Sequence, residues 1–199
     1  MIFNQTAFVA REHGMQGALK DEKFNALFGM FDTQGQGYLS QEGFRQFTDT
    51  VTELAPSHDT ENVAAMRKAF GKWWELLLPS GGTVADARIG QQEFVDVMRS
   101  NVTSPGNLQE AVLDIADALM RALDTNGDGM LSKGEYLRIY THLGIDPAHC
   151  GDAFRRLDRD GDGAISHDEW RTALTEFYLS DDASAPGNWL LGPLASTVA

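Results

Sequence analysis

Acidic side chains alternate with other residues in a short segment near the end of the chain. Asp158, Asp160 and Asp162 occupy positions one, three and five of a twelve-residue segment, and Glu169 occupies position twelve. Ala164 at position seven offers its backbone carbonyl oxygen. Calcium binds about six to eight oxygen ligands, and alternating positions let successive side chains converge on one ion. The spacing therefore predicts an oxygen cage for Ca²⁺ in this segment, which we call loop IV.

A second segment, loop III, repeats this design thirty-four residues earlier. Its ligand positions hold, in order, Asp124, Asn126, Asp128, the backbone carbonyl of Met130 and Glu135. In both loops a glycine stands at position six, where the chain turns sharply, and a serine stands at position nine. This is the pattern of an EF-hand calcium loop. A pair of surface turns rich in Asp and Gly is the alternative, but such turns would not reproduce every position twice.

Loop I, residues 32–43, keeps the frame of such a loop but loses most of its ligands. Gln34 and Gln36 are neutral, and Gly43 stands where the final glutamate belongs. Glu42 lies one residue too early, which rotates its side chain by about 100° around the following helix. We predict a structural loop that is poor in calcium. Weak binding assisted by Glu42 is the alternative, because the charge of the ligands tunes affinity strongly.

Loop II, residues 82–93, is recognisable only by its second half. Ile89 and Glu93 stand at positions eight and twelve, whereas Val84 offers no side-chain oxygen at position three. Ala87 replaces the glycine at position six. We therefore predict a scaffold without metal.

Apolar residues recur at helical spacing on both sides of the loops, which predicts an all-α fold. An apolar residue also stands at position eight of each loop: Leu39, Ile89, Leu131 and Ile165. These residues predict short β-bridges between loops I and II and between loops III and IV, and so four EF-hands in two pairs packed into one compact body. The predicted divisions are an N-terminal extension at 1–14, a front pair at 15–103, a rear pair at 104–180 and an apolar tail at 181–199 that folds back.

A serine or asparagine followed three residues later by glutamate predicts a capping box at the start of a helix. The pattern occurs at Ser132 with Glu135, Ser166 with Glu169 and Asn107 with Glu110. The first two would couple the start of a helix to an ion ligand. The third predicts that a helix at 107–123 begins at Asn107.

Charge and cysteine content limit the partners and the compartment. The net charge is −13, so we expect neither nucleic acid nor an anionic membrane as a partner. Cys150 is the only cysteine, which excludes an internal disulfide and is typical of a reducing compartment. The first ten residues make a poor signal peptide, and no apolar run is long enough to span a membrane. We expect a soluble, cytoplasmic monomer whose partners are calcium ions, with Mg²⁺ as an alternative occupant at rest.

The sequence offers no catalytic constellation. His149 and Cys150 are neighbours on a predicted helix, so their side chains do not face each other. We find no nucleophile accompanied by an orienting base, and we predict that the protein is not an enzyme.

The end of the chain suggests a family. Residues 186–194 read Pro-Gly-Asn-Trp-Leu-Leu-Gly-Pro-Leu. This tail, together with four unequally spaced hands over residues 15–194, resembles the sarcoplasmic calcium-binding protein and calerythrin family. The resemblance implies a compact all-α calcium buffer in which the apolar faces of the two halves pack together, with the ligands named above in loops III and IV. That family commonly has a working first loop, from which Gln34, Gln36 and Gly43 depart.

Three functions remain open at this point. The first is a calcium buffer or carrier whose apolar tail fills the groove between its hands. The second is a calcium sensor that exposes this groove to a protein partner, which the sequence does not identify. The third is a photoprotein-like binder of an apolar ligand, in which Tyr38, Trp73 and Trp74 would line a cavity; core packing is the ordinary role of such a Trp pair.

Overall fold

The structure is a computed structural model that describes residues 17–78 and 87–194. The predicted extension at 1–14 lies outside the described residues. So does the first half of loop II, including Gly82, Val84 and Asp86 at its first three predicted ligand positions.

Helices dominate the described residues, and the prediction of an all-α fold is confirmed. The front half contains α1 (Ala18–Phe31), β1 (Tyr38–Ser40), α2 (Gln41–Thr52), α3 (Thr60–Leu77), β2 (Arg88–Gly90) and α4 (Gln91–Val97), which continues as a π-helical turn, Met98–Val102. The rear half begins with α5 (Pro105–Leu108), a π-helical turn (Gln109–Leu113) and α6 (Asp114–Leu123). It continues with β3 (Met130–Ser132), α7 (Lys133–His142), a 3-10 turn (Pro147–His149), α8 (Cys150–Leu157), β4 (Ala164–Ser166), α9 (His167–Leu179) and a final 3-10 turn (Pro186–Trp189).

The strands join the loops in the predicted pairs. β1 pairs antiparallel with β2, with Leu39 opposite Ile89. β3 pairs antiparallel with β4, with Leu131 opposite Ile165. These four side chains are at most 2% exposed, so each bridge also anchors its loops in the core. The predicted β-bridges between paired loops are confirmed.

The start of the helix predicted at 107–123 is wrong by two residues. The helical run begins at Pro105, with Ser104 as the N-cap and no side-chain cap bond. Proline suits this position because its fixed φ is already helical and the missing N–H would have no helical partner. The side-chain amide of Asn107 does not cap the helix; it donates instead to the backbone carbonyl of Asn101, at 3.1 Å.

Apolar side chains from both halves form one continuous core. Phe31 makes edge-to-face contacts with the rings of Phe44, Phe47, Trp73 and Phe94. The ring of Trp73 also lies against Tyr178 of the rear half, with ring centroids 6.0 Å apart. The two pairs of hands are therefore packed into one body.

Polar bonds reinforce this contact between the halves. Asn62 is buried and donates to the carbonyl of Ala118 at 3.0 Å. The Arg138 guanidinium donates to the carbonyl of Leu54 at 2.9 Å. Each bond joins a side chain of one half to a backbone carbonyl of the other.

Lys23 is the most unusual of these polar links because it has no exposed surface. Its ammonium donates to the carbonyls of Ser180, at 2.8 Å, and Glu176, at 3.2 Å. These carbonyls end α9, where a cation also complements the helix dipole. Loss of hydration lowers the pKa of Lys23 to about 8. The first described helix is thus fastened to the last.

The tail lies against the rear pair of hands. Trp189, Leu190 and Leu194 are at most 9% exposed. The Tyr136 hydroxyl on α7 donates to the carbonyl of Leu190 at 2.8 Å, which fixes the tail on the core side of that helix. No helix in the described ranges is both long and apolar enough to cross a membrane.

Candidate metal centre

Loop IV gathers its acidic side chains through backbone hydrogen bonds. Asp158 caps the end of α8, and its two oxygens accept from the N–H groups of Gly161 at 2.8 Å and Gly163 at 3.1 Å. Asp162 accepts from the N–H of Ala164 at 2.9 Å. Both glycines have positive φ, 75° and 94°, which an L side chain rarely adopts, so the turn requires them. The loop therefore orients its carboxylates before any ion is considered.

The carboxylates of loop IV converge. One oxygen from each of Asp158, Asp160 and Asp162 lies within 4.8 Å of the others. Three negative charges at this spacing repel one another, and a divalent cation between them would remove that repulsion. Hard oxygen donors of this kind match Ca²⁺ or Mg²⁺ rather than a transition metal.

Glu169 is oriented by the predicted capping box. One of its oxygens accepts from both the N–H and the hydroxyl of Ser166, each at 2.8 Å, while its own N–H donates to the Ser166 hydroxyl at 3.3 Å. Its other oxygen accepts from the N–H of Arg159 at 2.7 Å. Burial raises the pKa of Glu169, but these hydrogen bonds outweigh it and leave the pKa below its usual value. The carboxylate therefore stays ionised at the mouth of the loop.

Loop III is built in the same way. The two oxygens of Asp124 accept from Gly127 N–H at 2.7 Å and Gly129 N–H at 2.9 Å. Asn126 accepts from the N–H of Asp128 at 2.9 Å, so its neutral oxygen takes the place that a carboxylate oxygen has in loop IV. The substitution keeps an oxygen donor and removes one negative charge from the cage.

Glu135 is held more tightly than Glu169. It is 6% exposed and accepts four hydrogen bonds, from the N–H and hydroxyl of Thr125 and of Ser132, at 2.8–2.9 Å. Burial opposes its ionisation, yet these bonds prevail and lower the pKa of Glu135 to about 2. The capping boxes predicted at Ser132 and Ser166 are both present.

Loop I keeps the turn without the cage. The two oxygens of Asp32 accept from Gln36 N–H at 2.9 Å and Gly37 N–H at 2.7 Å. Glu42 lies outside the turn, where it is exposed and forms an ion pair with Arg45 at 2.8 Å. Its carboxylate is therefore already engaged on the helix surface, which argues against the weak site that Glu42 would assist.

The described half of loop II also differs from the rear loops. Glu93 lies exposed in the first turn of α4, whose N-cap is Gly90 with no side-chain cap bond. No hydroxyl at position nine can therefore draw the glutamate back toward the loop, as the serines do in loops III and IV.

Sequence reasoning missed the residues at position two of the rear loops. The ligand pattern assigns no role to Thr125 and Arg159, yet their N–H groups hold the glutamates at position twelve. The signal was available, because position two faces position twelve across the closed turn. Arg159 has a second role through its side chain, which forms an ion pair with Glu176.

Comparisons with known proteins agree with this geometry. Family models match as an EF hand at residues 115–140 and 151–174 and as an EF-hand domain pair at residues 10–49. Calerythrin of Saccharopolyspora erythraea is 23% identical over 167 residues, covering 82% of this chain and 94% of that protein. A sarcoplasmic calcium-binding protein of Perinereis vancaurica tetradentata is 28% identical over 176 residues, covering 87% and 97%.

Solved structures share the fold. The sarcoplasmic calcium-binding protein of amphioxus superposes with a TM-score of 0.63 at 16% identity, covering 88% of this chain and 97% of that one. The coelenterazine-binding protein of Renilla muelleri, in a calcium-loaded apo form, gives 0.61 at 19% identity, covering 90% and 98%. At these identities the likeness concerns the arrangement of the helices.

Proposed function

The chain is an EF-hand protein of the sarcoplasmic calcium-binding protein and calerythrin type, and from this premise we propose that it is a calcium buffer or carrier with two working sites. The sites are loops III and IV. The observation that carries the proposal is that both rear loops hold an ionised glutamate at position twelve over a turn lined with oxygen donors, whereas loop I does not.

The donor sets suit the ion. Loop IV would hold it with Asp158, Asp160, Asp162, the carbonyl of Ala164 and Glu169. Loop III would hold it with Asp124, Asn126, Asp128, the carbonyl of Met130 and Glu135. Bound Ca²⁺ would supply the positive charge that offsets the crowded carboxylates. Mg²⁺ at rest is part of the same proposal, because both ions prefer oxygen ligands.

Burial of the tail favours a buffer over a sensor. A sensor must expose a large apolar surface when calcium binds. In this chain Trp189 and Leu190 already cover the apolar side of the rear hands, and the front pair covers the rest. Among the described residues, the exposed large apolar side chains are Leu137 and Leu179, with 36% and 38% of their surface accessible.

An apolar-ligand binder is the second candidate, because a cavity lies between the halves. Trp73, Tyr178 and Leu190 are among its lining residues. Its volume is about 70 Å³, whereas sites for small organic ligands measure about 300–1,000 Å³. The tail would have to leave before such a ligand could enter. The cavity therefore supports this function less well than the loops support calcium binding.

The proposal includes a monomer in the cytoplasm without enzymatic activity. Cys150 has the most readily activated nucleophile that the sequence offers, its thiol. The residue is 2% exposed, and burial raises the pKa of this thiol. A protonated, enclosed thiol is a poor nucleophile.

Calcium titration tests the proposal. Isothermal calorimetry of chelator-treated protein should give two sites, and an apolar dye should bind to a similar extent before and after calcium is added. More than two tight sites would contradict the assignment of the front loops. A large calcium-dependent rise in dye binding would favour the sensor, and an absence of binding would refute the proposal.

A further inference from the structure

The 3-10 turn Pro186–Trp189 contacts the exit helix of the fourth hand at unusually close range. A Cβ atom built on Gly187 would lie 2.3 Å from the carbonyl oxygen of Ala173 and 2.6 Å from the Cβ of Glu176. Neither atom can move without displacing α9 itself. A glycine is therefore required at this position, where the tail backbone lies directly on the helix.

The same turn also reaches the entering helix of that hand. The Arg156 guanidinium on α8 lies over the ring of Trp189, 4.2 Å from its centroid. Such a cation–π contact is favourable and fixes the ring against the helix. The turn thus bridges α8 and α9, the two helices whose relative position determines how loop IV closes.

Glu176 connects this bridge to the loop. Its Oε2 atom accepts from the N–H of Gly187 at 2.9 Å and forms an ion pair with the Arg159 guanidinium at 2.6 Å. Both side chains of the ion pair are partly shielded from solvent, with 34% and 24% of their surface exposed, so the interaction is less screened than a fully open surface pair. The backbone N–H of Arg159 in turn donates to Glu169.

We propose that Glu176 is a positioning residue for calcium binding in loop IV. Its carboxylate fastens the tail to α9 and holds Arg159, whose backbone orients the glutamate at position twelve. The inference rests on the proposed function of loop IV as a calcium site. Because coupling between two sites is reciprocal, calcium in loop IV should also tighten the tail on the hand.

Loop III lacks this connection and provides an internal contrast. Its residue at position two is Thr125, whose hydroxyl donates directly to Glu135. This short side chain stops at Glu135 in the first turn of its exit helix, whereas the Arg159 side chain extends to Glu176 near the far end of α9. Removal of Glu176 should therefore affect loop IV and leave loop III nearly unchanged.

Single-site backgrounds separate the two loops. Glu135→Gln leaves loop IV as the working site, and Glu169→Gln leaves loop III. Within the first background, Glu176→Gln should weaken calcium affinity by about tenfold, chiefly through faster release. Calorimetry gives the affinity, and stopped-flow chelation gives the release rate. In the second background the same change should alter the affinity by less than about twofold.

Asp152→Asn provides the matched control. Asp152 lies exposed on α8 of the same hand, is paired with Arg155, and loses the same unit of charge. The control should shift the affinity of loop IV by less than about twofold, because long-range electrostatics between exposed charges is screened. Hydrogen exchange provides the reciprocal measurement: calcium should slow exchange at the Gly187 amide in the parent, and much less in Glu176→Gln.

The outcomes are distinct. If Glu176→Gln lowers the melting temperature in chelator but leaves the calcium affinity of loop IV within twofold of the control, Glu176 is only structural and the inference is wrong. Equal weakening of loops III and IV would also overturn it. If the Glu135→Gln background binds no calcium at all, the proposed function fails and the inference fails with it.

Discussion

Loops I and IV build the same turn, once without and once with a cage of carboxylates. In each, an aspartate at position one accepts N–H groups from inside the loop, including that of the glycine at position six: Gly37 at 2.7 Å and Gly163 at 3.1 Å. In each, a serine at position nine caps the following helix. Of these two loops, loop IV alone has a glutamate at position twelve. The backbone of an EF-hand loop is thus specified by its Asp, Gly and Ser residues, and metal binding is a separate property.

The contrast explains how the front pair remains folded with so few ligands. Ser40 caps α2 without a glutamate, and Leu39 pairs with Ile89 in the core. The hand therefore keeps its cap and its β-bridge after losing the ligands that repel one another without a cation. Loop I can therefore pack against the core without the carboxylate repulsion that loop IV carries when no cation is bound.

Removal of calcium from the two proposed rear sites should produce the largest effect, a loss of stability. At a free calcium concentration of 100 times the dissociation constant, each site contributes about 2.7 kcal/mol to the free energy of unfolding. A change of 1 kcal/mol shifts the melting temperature of a chain of this size by about 2–4 °C. Chelation should therefore lower the melting temperature by on the order of 10 °C, measured by calorimetry or circular dichroism. The Glu135→Gln, Glu169→Gln double variant is the control, and its melting temperature should not respond to chelator.

Loss of a single glutamate ligand should be the next largest effect. Glu135→Gln and Glu169→Gln should each weaken one site by on the order of 100-fold, because the bidentate carboxylate at position twelve closes the cage. Glu93→Gln, an equivalent change in loop II, should leave the calorimetric titration unchanged. A loss of calcium binding in Glu93→Gln would show that the front half takes part.

Loop I can be used to test whether its missing carboxylates are all that distinguishes it from loop IV. The combined change Gln34→Asp, Gln36→Asp and Gly43→Glu supplies the missing carboxylates. A Cβ on Gly43 would lie 3.3 Å from the Ser40 hydroxyl oxygen, so a small side-chain shift accommodates it. Calorimetry should then report a third site, about tenfold weaker than the rear sites. The neutral counterpart, with Asn, Asn and Gln at these positions, should bind at two sites, as the parent is expected to. If the acidic variant binds no third calcium ion, the backbone turn of loop I must differ from that of loop IV.

Lys23 should give the smallest effect, one that depends on pH. Its pKa is lowered to about 8 in the folded protein, against about 10.4 in an unfolded chain. Between these values the unfolded state binds more protons, so the contribution of Lys23 to stability rises as pH rises from about 8 toward 10. Urea unfolding should show this rise as a growing difference between the parent and Lys23→Met. Lys20→Met removes the same charge from the same helix and should follow the parent.

The comparison with Lys23→Met is needed because other groups act in the opposite direction. Burial raises the pKa of the Cys150 thiol and raises the pKa of Tyr140 to about 12. Such groups destabilise the folded state as pH increases, in the parent and in the variant alike. The difference between the two proteins isolates the lysine. A constant difference from pH 7 to 10 would contradict the assigned role.

Local pattern was enough to predict what depends on neighbours in the sequence. The helical fold follows from the apolar spacing beside the loops. The β-bridges and the capping boxes at Ser132 and Ser166 follow from residues at fixed positions in each loop. The ligands of loops III and IV stay predictions until the glutamine variants are measured. The start of the helix at Pro105 was missed because Asn107 and Pro105 both carry signals for a helix start, two residues apart. The side-chain amide of Asn107 donates to the carbonyl of Asn101 instead of capping a helix.

Long-range contacts could not be predicted from pattern. Lys23 looks like any charged residue on an amphipathic helix, and its acceptors lie more than 150 residues away. Glu176 is nearer to its partners in the sequence, but Arg159 and Gly187 come from a loop and a tail that only the folded chain brings together. Such positions acquire their roles from tertiary structure.

The buried ammonium of Lys23 has a mechanical consequence. It joins the helix that leads into the first hand to the helix that leaves the fourth, so these two helices are tied directly to each other. A movement of α9 must therefore pull α1 with it, and any displacement of the fourth hand is shared with the first.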